Sequence, residues 1–308
     1  MINIKNYLEE QQDLFALMDG TEQESDFNLV GLVEDLIADY SNQTSQVYTV
    51  YIPSKGRADT PNTYDICNEE NIPCKVVVEP QEYEEYHQTI PSEDLLTLDK
   101  NDQGVQYARS WIKNYSTSIG EEYHWQFDDD MKYFTMRIDD KNQRVNLVHS
   151  KSIIEQVATL FENFAVGGMT SNAFAFSKPN PVKLNQLGYG CTFINNNFKQ
   201  EWRDKTVEDW DYTLRALEAG MCTMAFSHIN FQTPSSGTNK GGNNLTDWAT
   251  IEKRKEFYDY FASLWPKNFR VVELVEGSSK GYKLEHKRRF FNDYKNLKLK
   301  LKTSLQTD

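Results

Sequence analysis

Three consecutive carboxylates, Asp128, Asp129 and Asp130, stand directly behind the β-prone run "YHWQF" at 123–127. Each charge raises the cost of ionising the next, so the triplet calls for a compensating cation. Side chains at the C-terminal end of a strand project into the crevice where open α/β sheets bind ligands, and adjacent carboxylates there can share a divalent ion. The alternative is a solvated acidic turn, a common use of Asp. A second group follows another strand-like run, "YIPSKGR" at 51–57, where Ser54, Lys55, Gly56 and Arg57 offer small residues, amides and two cations to an anion. The glycine-rich Walker pattern is absent, and a plain surface turn would share this composition.

His228 closes a strand-like run and precedes the loop "TPSSGTNKGGNN" (233–244), which carries Lys240. Histidine is a frequent metal ligand and Lys240 could neutralise a leaving phosphate, although a simply hydrogen-bonded His is the plainer account. Glu208, Asp209 and Asp211 open a helical pattern, where acids gain from the helix dipole. One of them could instead reach a cleft as general base for a group transfer. Spacing does not choose between these roles.

The elements that must position these residues follow an α/β grammar. The first forty residues read as helical, with Leu29, Leu32, Val33, Leu36, Ile37 and Tyr40 on one stripe. "QVYTVYIP" (46–53) and "CKVVVEP" (74–80) are strands stopped by proline, with a crossover through 59–71. A helix over 104–116 places Val105, Ala108, Trp111, Ile112 and Tyr115 on one face and leaves Arg109 off it, and a further helix is expected over 151–165. "AFAFS", "GCTFIN" and "CTMAFSHINF" read as strands, and the helix over 206–220 ends at Gly220.

At 308 residues and 39% hydrophobic, the chain can bury a large, ring-rich core. No apolar run approaches a membrane span and the N-terminus lacks a signal-peptide layout, which predicts a cytoplasmic protein with no membrane partner. Cys67, Cys74, Cys191 and Cys222 form no CxxC pair and are expected to be structural thiols. The net charge of −13 argues against nucleic acid, yet it is unevenly spread: residues 1–40 hold ten acids and one Lys, whereas 280–302 hold nine Lys/Arg and two acids. That basic tail, with Phe290, Phe291 and Tyr294 among its cations, is either a DNA-contacting segment or an amphipathic helix with a solvated face.

Taken in order, "YIPSKGR", "KVVVEPQEYEEY", "NDQGVQYARSWI", "YHWQFDDDMKYF", "VEDWDYTL" and "SHINF" resemble the TET-associated glycosyltransferase family over roughly 46–245. The resemblance implies a GT-A-like fold, a Rossmann-like mixed sheet flanked by helices. An acidic helical N-terminal segment (1–45) would precede the transferase domain (46–250), and a helical, basic extension (251–308) would follow. It implies that Pro53, Ser54, Lys55 and Arg57 line a nucleotide site, with Glu79 and Tyr83 near the base and Arg109 helping to hold the donor. Asp128 and Asp130 would fill the outer positions of a DxD motif binding Mn²⁺ or Mg²⁺, with Asp130 the direct ligand, Asp128 nearer the sugar, and His228 a further ligand. Three adjacent aspartates leave the register open, so Asp129 could take part. Asp209 would be the base of an inverting transfer.

Members of this family associated with phages imply an acceptor, hydroxymethylpyrimidine in duplex DNA, a UDP-sugar donor carrying glucose or arabinose, and action in a host cytoplasm without an obligate protein partner. The competing readings are transfer to a saccharide or protein, which the net charge favours, a nucleotidyltransferase, and a binding domain in which the acidic cluster is only a turn. A nucleotidyltransferase would carry a Gly-rich signature after the first strand, and "SKGRADTP" has one glycine.

Overall fold

A computed structural model of the chain describes residues 28–43, 48–234, 250–274 and 281–303. The first element is α1 (Leu29–Ala38), capped by Asn28, whose side chain accepts from the Gly31 amide. Leu29, Leu32, Val33, Leu36 and Ile37 are all buried, which is the stripe the sequence shows; the helix expected before Asn28 lies outside the described residues. A βαβ unit follows: β1 (Val50–Pro53), α2 (Asn62–Glu69) and β2 (Cys74–Val78), with Val50 opposite Cys74 in parallel register. Next come α3 (Tyr83–Tyr86), β3 (Leu95–Thr97), α4 (Val105–Ser118) and β4 (Tyr123–Phe127). The hairpin of β5 (Tyr133–Ile138) and β6 (Lys141–Val145) leads into α5 (Leu147–Ala158) and β7 (Phe164–Ser171). The chain continues through β8 (Val182–Leu184), β9 (Cys191–Asn195), α6 (Glu208–Glu218) and β10 (Cys222–Gln232). Last are α7 (Ile251–Leu264) and a separate hairpin, β11 (Phe269–Glu273) with β12 (Tyr282–His286).

Ten strands make one mixed sheet in the order β3-β2-β1-β4-β9-β7-β10-β5-β6, with β8 alongside β10. β3, β2, β1 and β4 are parallel, and β9 runs antiparallel to both β4 and β7. β7 therefore points the same way as β4, and β10 is parallel to β7. The consequence for function is geometric: the C-terminal ends of β1, β2, β3, β4, β7 and β10 share one edge of the sheet. This is the mixed α/β architecture that the resemblance implies.

The core is ring-rich, as the composition demands. Trp125, Phe127, Phe164 and Phe193 are fully buried, and the Trp125 and Phe193 rings lie 4.9 Å apart. Burying side chains of this size contributes about 1.5–3 kcal/mol each. All four cysteines are buried free thiols. Among the described residues no helix is long and apolar enough to cross a membrane.

Several local expectations change. The helix expected over 151–165 runs from Leu147 to Ala158, and Phe164 instead begins β7. "AFAFS" is not a strand: residues 172–174 make a 3₁₀ turn and Phe174 and Phe176 are exposed. The flank of β10 opposite β7 is already filled by β5 and β8, so that ladder is closed to this segment. Arg109 is buried rather than left on the open face of α4, because that helix is covered on both sides. Gln106 donates to the Thr206 carbonyl, Ser110 to the Trp202 carbonyl and Lys113 to the Gln200 carbonyl, tying α4 to the segment that leads into α6.

The basic tail is helical only over a 3₁₀ turn at Phe290–Tyr294. Its "NLKLKLK" end has period two, and Leu299 and Leu301 pack on the main core while Leu301 bridges Phe161. That bridge lies just before β7 begins, so the terminal lysines sit at the sheet edge opposite the ends of β1 and β4. Lys302 pairs there with Glu122. Phe290 is buried among Leu214, Phe261, Trp265 and Phe269 and serves as core.

Candidate active site

The aspartate triplet leaves β4 at the shared C-terminal edge, and its three side chains go to three different places. Asp129 turns inward and is 6% exposed. It accepts from Ser54 Oγ at 2.6 Å and from the Arg57 guanidinium, so it joins the β4 loop to the loop after β1. Burial pushes its carboxyl up to about 6, against the pull of Arg57 and Ser54. Asp128 accepts from Arg109 Nη2 at 2.8 Å, yet its side chain keeps 43% exposure. Protein surrounds it on most sides while one side is open to solvent. Burial raises its pKa, Arg109 lowers it, and Asp130 raises it again. Asp130 is 21% exposed and lies 3.6 Å from Arg57.

Backbone contacts fix this arrangement. The Asp128 carbonyl accepts from Thr63 Oγ1 at 2.7 Å, the same hydroxyl accepts from the Met131 amide, and the Asp128 amide donates to the Gly190 carbonyl. Asp129 is thus a strut between the two loops, while Asp128 and Asp130 keep part of their side chains exposed. Thr63 and Tyr86 were not legible as site residues. The Tyr86 hydroxyl is 2.7 Å from Ser54 Oγ and accepts from the Arg57 amide, and the only trace in the sequence is its place in "EYEEY".

The loop after Pro53 is organised by ion pairs. Lys55 donates to both oxygens of Glu79 at 2.9 Å and to Asp102 at 2.6 Å. Glu79 is buried and also accepts from the Asp102 amide and from Gln81. Lys55 and Glu79 thus brace the loop after β1 against the segment around Asp102. Tyr83 opens α3 and stacks on His87 with ring centroids 5.6 Å apart.

Arg109 connects this cleft to α6. Its guanidinium feels Asp128 most strongly, then Asp209 and Glu208. Burial holds the Asp209 carboxyl well above the usual range, and Glu208 and Asp128 add to the rise while Arg109 opposes it. Asp128 and Asp130 pair with Arg109 and Arg57 at this edge of the sheet, and Glu208 and Asp209 lie within electrostatic reach of Arg109. Asp211, the third acid of α6, is not part of this group. It is 1% exposed and its carboxylate accepts from Arg203 Nε and from Trp265 Nε1, each at 2.9 Å, which ties α6 to α7.

His228 also stands apart. β10 reaches the aspartate loop through Gln232, whose carbonyl accepts from the Lys132 amide. His228 precedes Gln232 by four residues, on the order of 13 Å along a strand. Its ring contacts the Lys178 carbonyl and faces Arg137, Glu34 and Asp140. His228 is thus engaged by the Lys178 carbonyl and set back along β10 from the aspartate loop. Lys240 lies outside the described residues.

Asp128 and Asp130 fit a hard divalent cation by donor chemistry, since both supply only oxygen. Mg²⁺ sites commonly take one or two carboxylates and complete their shell with water and substrate phosphate. Among the described residues no group of three or more His, Cys, Asp and Glu forms a full metal cage.

Residues 48–242 match the family model described as TET-Associated Glycosyltransferase. Comparison with curated proteins finds no match.

Proposed function

The chain belongs to the TET-associated glycosyltransferase family, and from that premise we propose that it moves a sugar from a UDP-sugar to the hydroxymethyl group of 5-hydroxymethylcytosine in DNA. The observation that carries this reading is the pairing of two part-exposed carboxylates, Asp128 and Asp130, with an acidic helix start at Glu208 and Asp209 across the buried Arg109. An inverting, metal-dependent transfer needs acidic groups for the ion and another for the acceptor proton.

Mn²⁺ or Mg²⁺ on Asp128 and Asp130 would neutralise the charge that develops on the departing diphosphate. The chain's own residues do the rest. Ser54, Arg57 and Asp129 lock the loop after β1 against the loop after β4, and the Lys55–Glu79 pair keeps the nucleotide wall in place. Arg109 holds Asp128 in one orientation. Asp209 takes the proton of the acceptor hydroxyl as its oxygen bonds to the sugar and the bond to the diphosphate breaks, giving inversion. Its raised pKa keeps the base form scarce at low pH.

The test is mass spectrometry of nucleosides from hydroxymethylcytosine-containing duplex DNA incubated with the protein, Mn²⁺ and a panel of UDP-sugars. A hexose or pentose mass gain that disappears with Asp130→Ala is the expected result. UDP-sugar hydrolysis without a DNA adduct would overturn the acceptor and move the search to saccharides or proteins.

A further inference from the structure

Beside the aspartate loop, the β5–β6 hairpin and the turn after β7 form a surface that the transfer chemistry leaves unused. Phe174 and Phe176 on that turn are 50% and 63% exposed. Large apolar side chains grouped in this way mark a contact surface. The turn is held in place: Asn172 accepts from Thr135 Oγ1 at 3.2 Å and donates to Gln232 Oε1 at 3.1 Å. Gln232 in turn accepts from the Lys132 amide, two residues after Asp130. The aromatic turn and the cleft are therefore fixed to each other through a single strand end.

Charge selects the partner. Residues 131–147 and 171–184 together carry six Lys/Arg and two acids, in a chain whose net charge is −13. One of those acids, Asp140, is engaged by Arg137, whose guanidinium also lies 5.6 Å from the Phe176 ring. Nearer the cleft, Arg144 stacks 4.0 Å above the Tyr133 ring. Apolar rings interleaved with cations are what enter a duplex groove and meet phosphates. From Lys132 to Arg137 the surface runs roughly 17 Å along β5, and duplex DNA offers one negative charge per about 1.7 Å of axis.

We propose that Phe174 and Phe176, with Lys132, Arg137 and Arg144, form the surface on which the duplex DNA acceptor docks beside the aspartate loop, the rings packing into a groove and the cations meeting the backbone. This rests on DNA as the acceptor. It also assigns the grip on DNA to the β5–β6 side and not to the lysines of the C-terminal tail, which lie at the opposite sheet edge.

The experiment is fluorescence anisotropy of a labelled hydroxymethylcytosine duplex with the full chain across a salt series, alongside UDP-sugar hydrolysis without DNA. Phe174→Ser/Phe176→Ser should weaken DNA binding about tenfold or more without changing its salt slope. Lys132→Ala/Arg144→Ala should reduce the log–log salt slope by about two. Both variants should hydrolyse UDP-sugar like the wild type. If the wild type binds and modifies DNA and neither variant changes affinity or slope, this surface is wrong and the function stands. A wild type that hydrolyses UDP-sugar but neither binds nor modifies DNA overturns the acceptor and the surface together.

Discussion

Replacing Asp129 by asparagine tests the strut between the two site loops through its proton. The folded carboxyl sits at about 6 against an ordinary 3.8, with burial as the main cause. The folded protein therefore holds this proton more tightly than the unfolded chain. The stabilisation from protonated Asp129 is complete below about pH 4 and is lost as pH rises through about 6. At ~1.4 kcal/mol per pH unit, that interval is worth about 3 kcal/mol. The substituted amide cannot ionise and keeps the shape. Its one acceptor oxygen can serve only Ser54 or Arg57, and setting its NH2 against the other donor is an offset that does not change with pH. At pH 4 both chains present a neutral group to Arg57, so the loss of the ion pair largely cancels in the comparison. Urea unfolding of wild type and Asp129→Asn at pH 4, 5, 6 and 7 should show the variant gaining on the wild type by about 3 kcal/mol across the series. A difference that stays constant within about 1 kcal/mol would refute the reasoning. It would mean that Arg57 and Ser54 outweigh burial and keep Asp129 ionised throughout.

Asp209→Asn should lower kcat by roughly 10²–10⁴ with little effect on the KM for UDP-sugar, as expected for loss of a general base. The wild-type rate should climb with pH through the raised Asp209 pKa, and a pH–rate profile in which the variant keeps that limb would remove Asp209 from the role. Asp211→Asn should leave kcat intact but cost about 2–3 kcal/mol by weakening charge-assisted bonds from Arg203 and Trp265. Calorimetry should register this as a Tm drop on the order of 5 °C. Phe290→Ala should cost about 3–5 kcal/mol in urea unfolding, since the ring is core against α6 and α7 and not a free base-stacking group.

Local pattern made much of this molecule legible. Alternation and proline stops marked β1 and β2, and the spacing of Leu32, Val33 and Leu36 marked α1, because which face a residue turns to the core depends on its near neighbours. The same locality placed the three aspartates at a strand end and the acids of α6 at a helix start. It failed at "AFAFS", where the neighbouring flank of β10 is already filled by β5 and β8, and at Arg109, where a helix is covered on both faces.

What only the tertiary structure decided is which of these groups meet. In sequence Asp128, Asp129 and Asp130 are equivalent, and only the approach of the β1 loop turns Asp129 inward onto Ser54 and Arg57. Asp209 and Asp211 are two residues apart, yet one comes within the electrostatic reach of Arg109 and the other is taken by Arg203 and Trp265. His228 ends a strand-like motif but lies four residues short of the true edge of β10. Residue type and spacing set the chemistry a side chain can perform. Strand order and strand direction, which depend on pairings distant in sequence, set which side chains share a cleft.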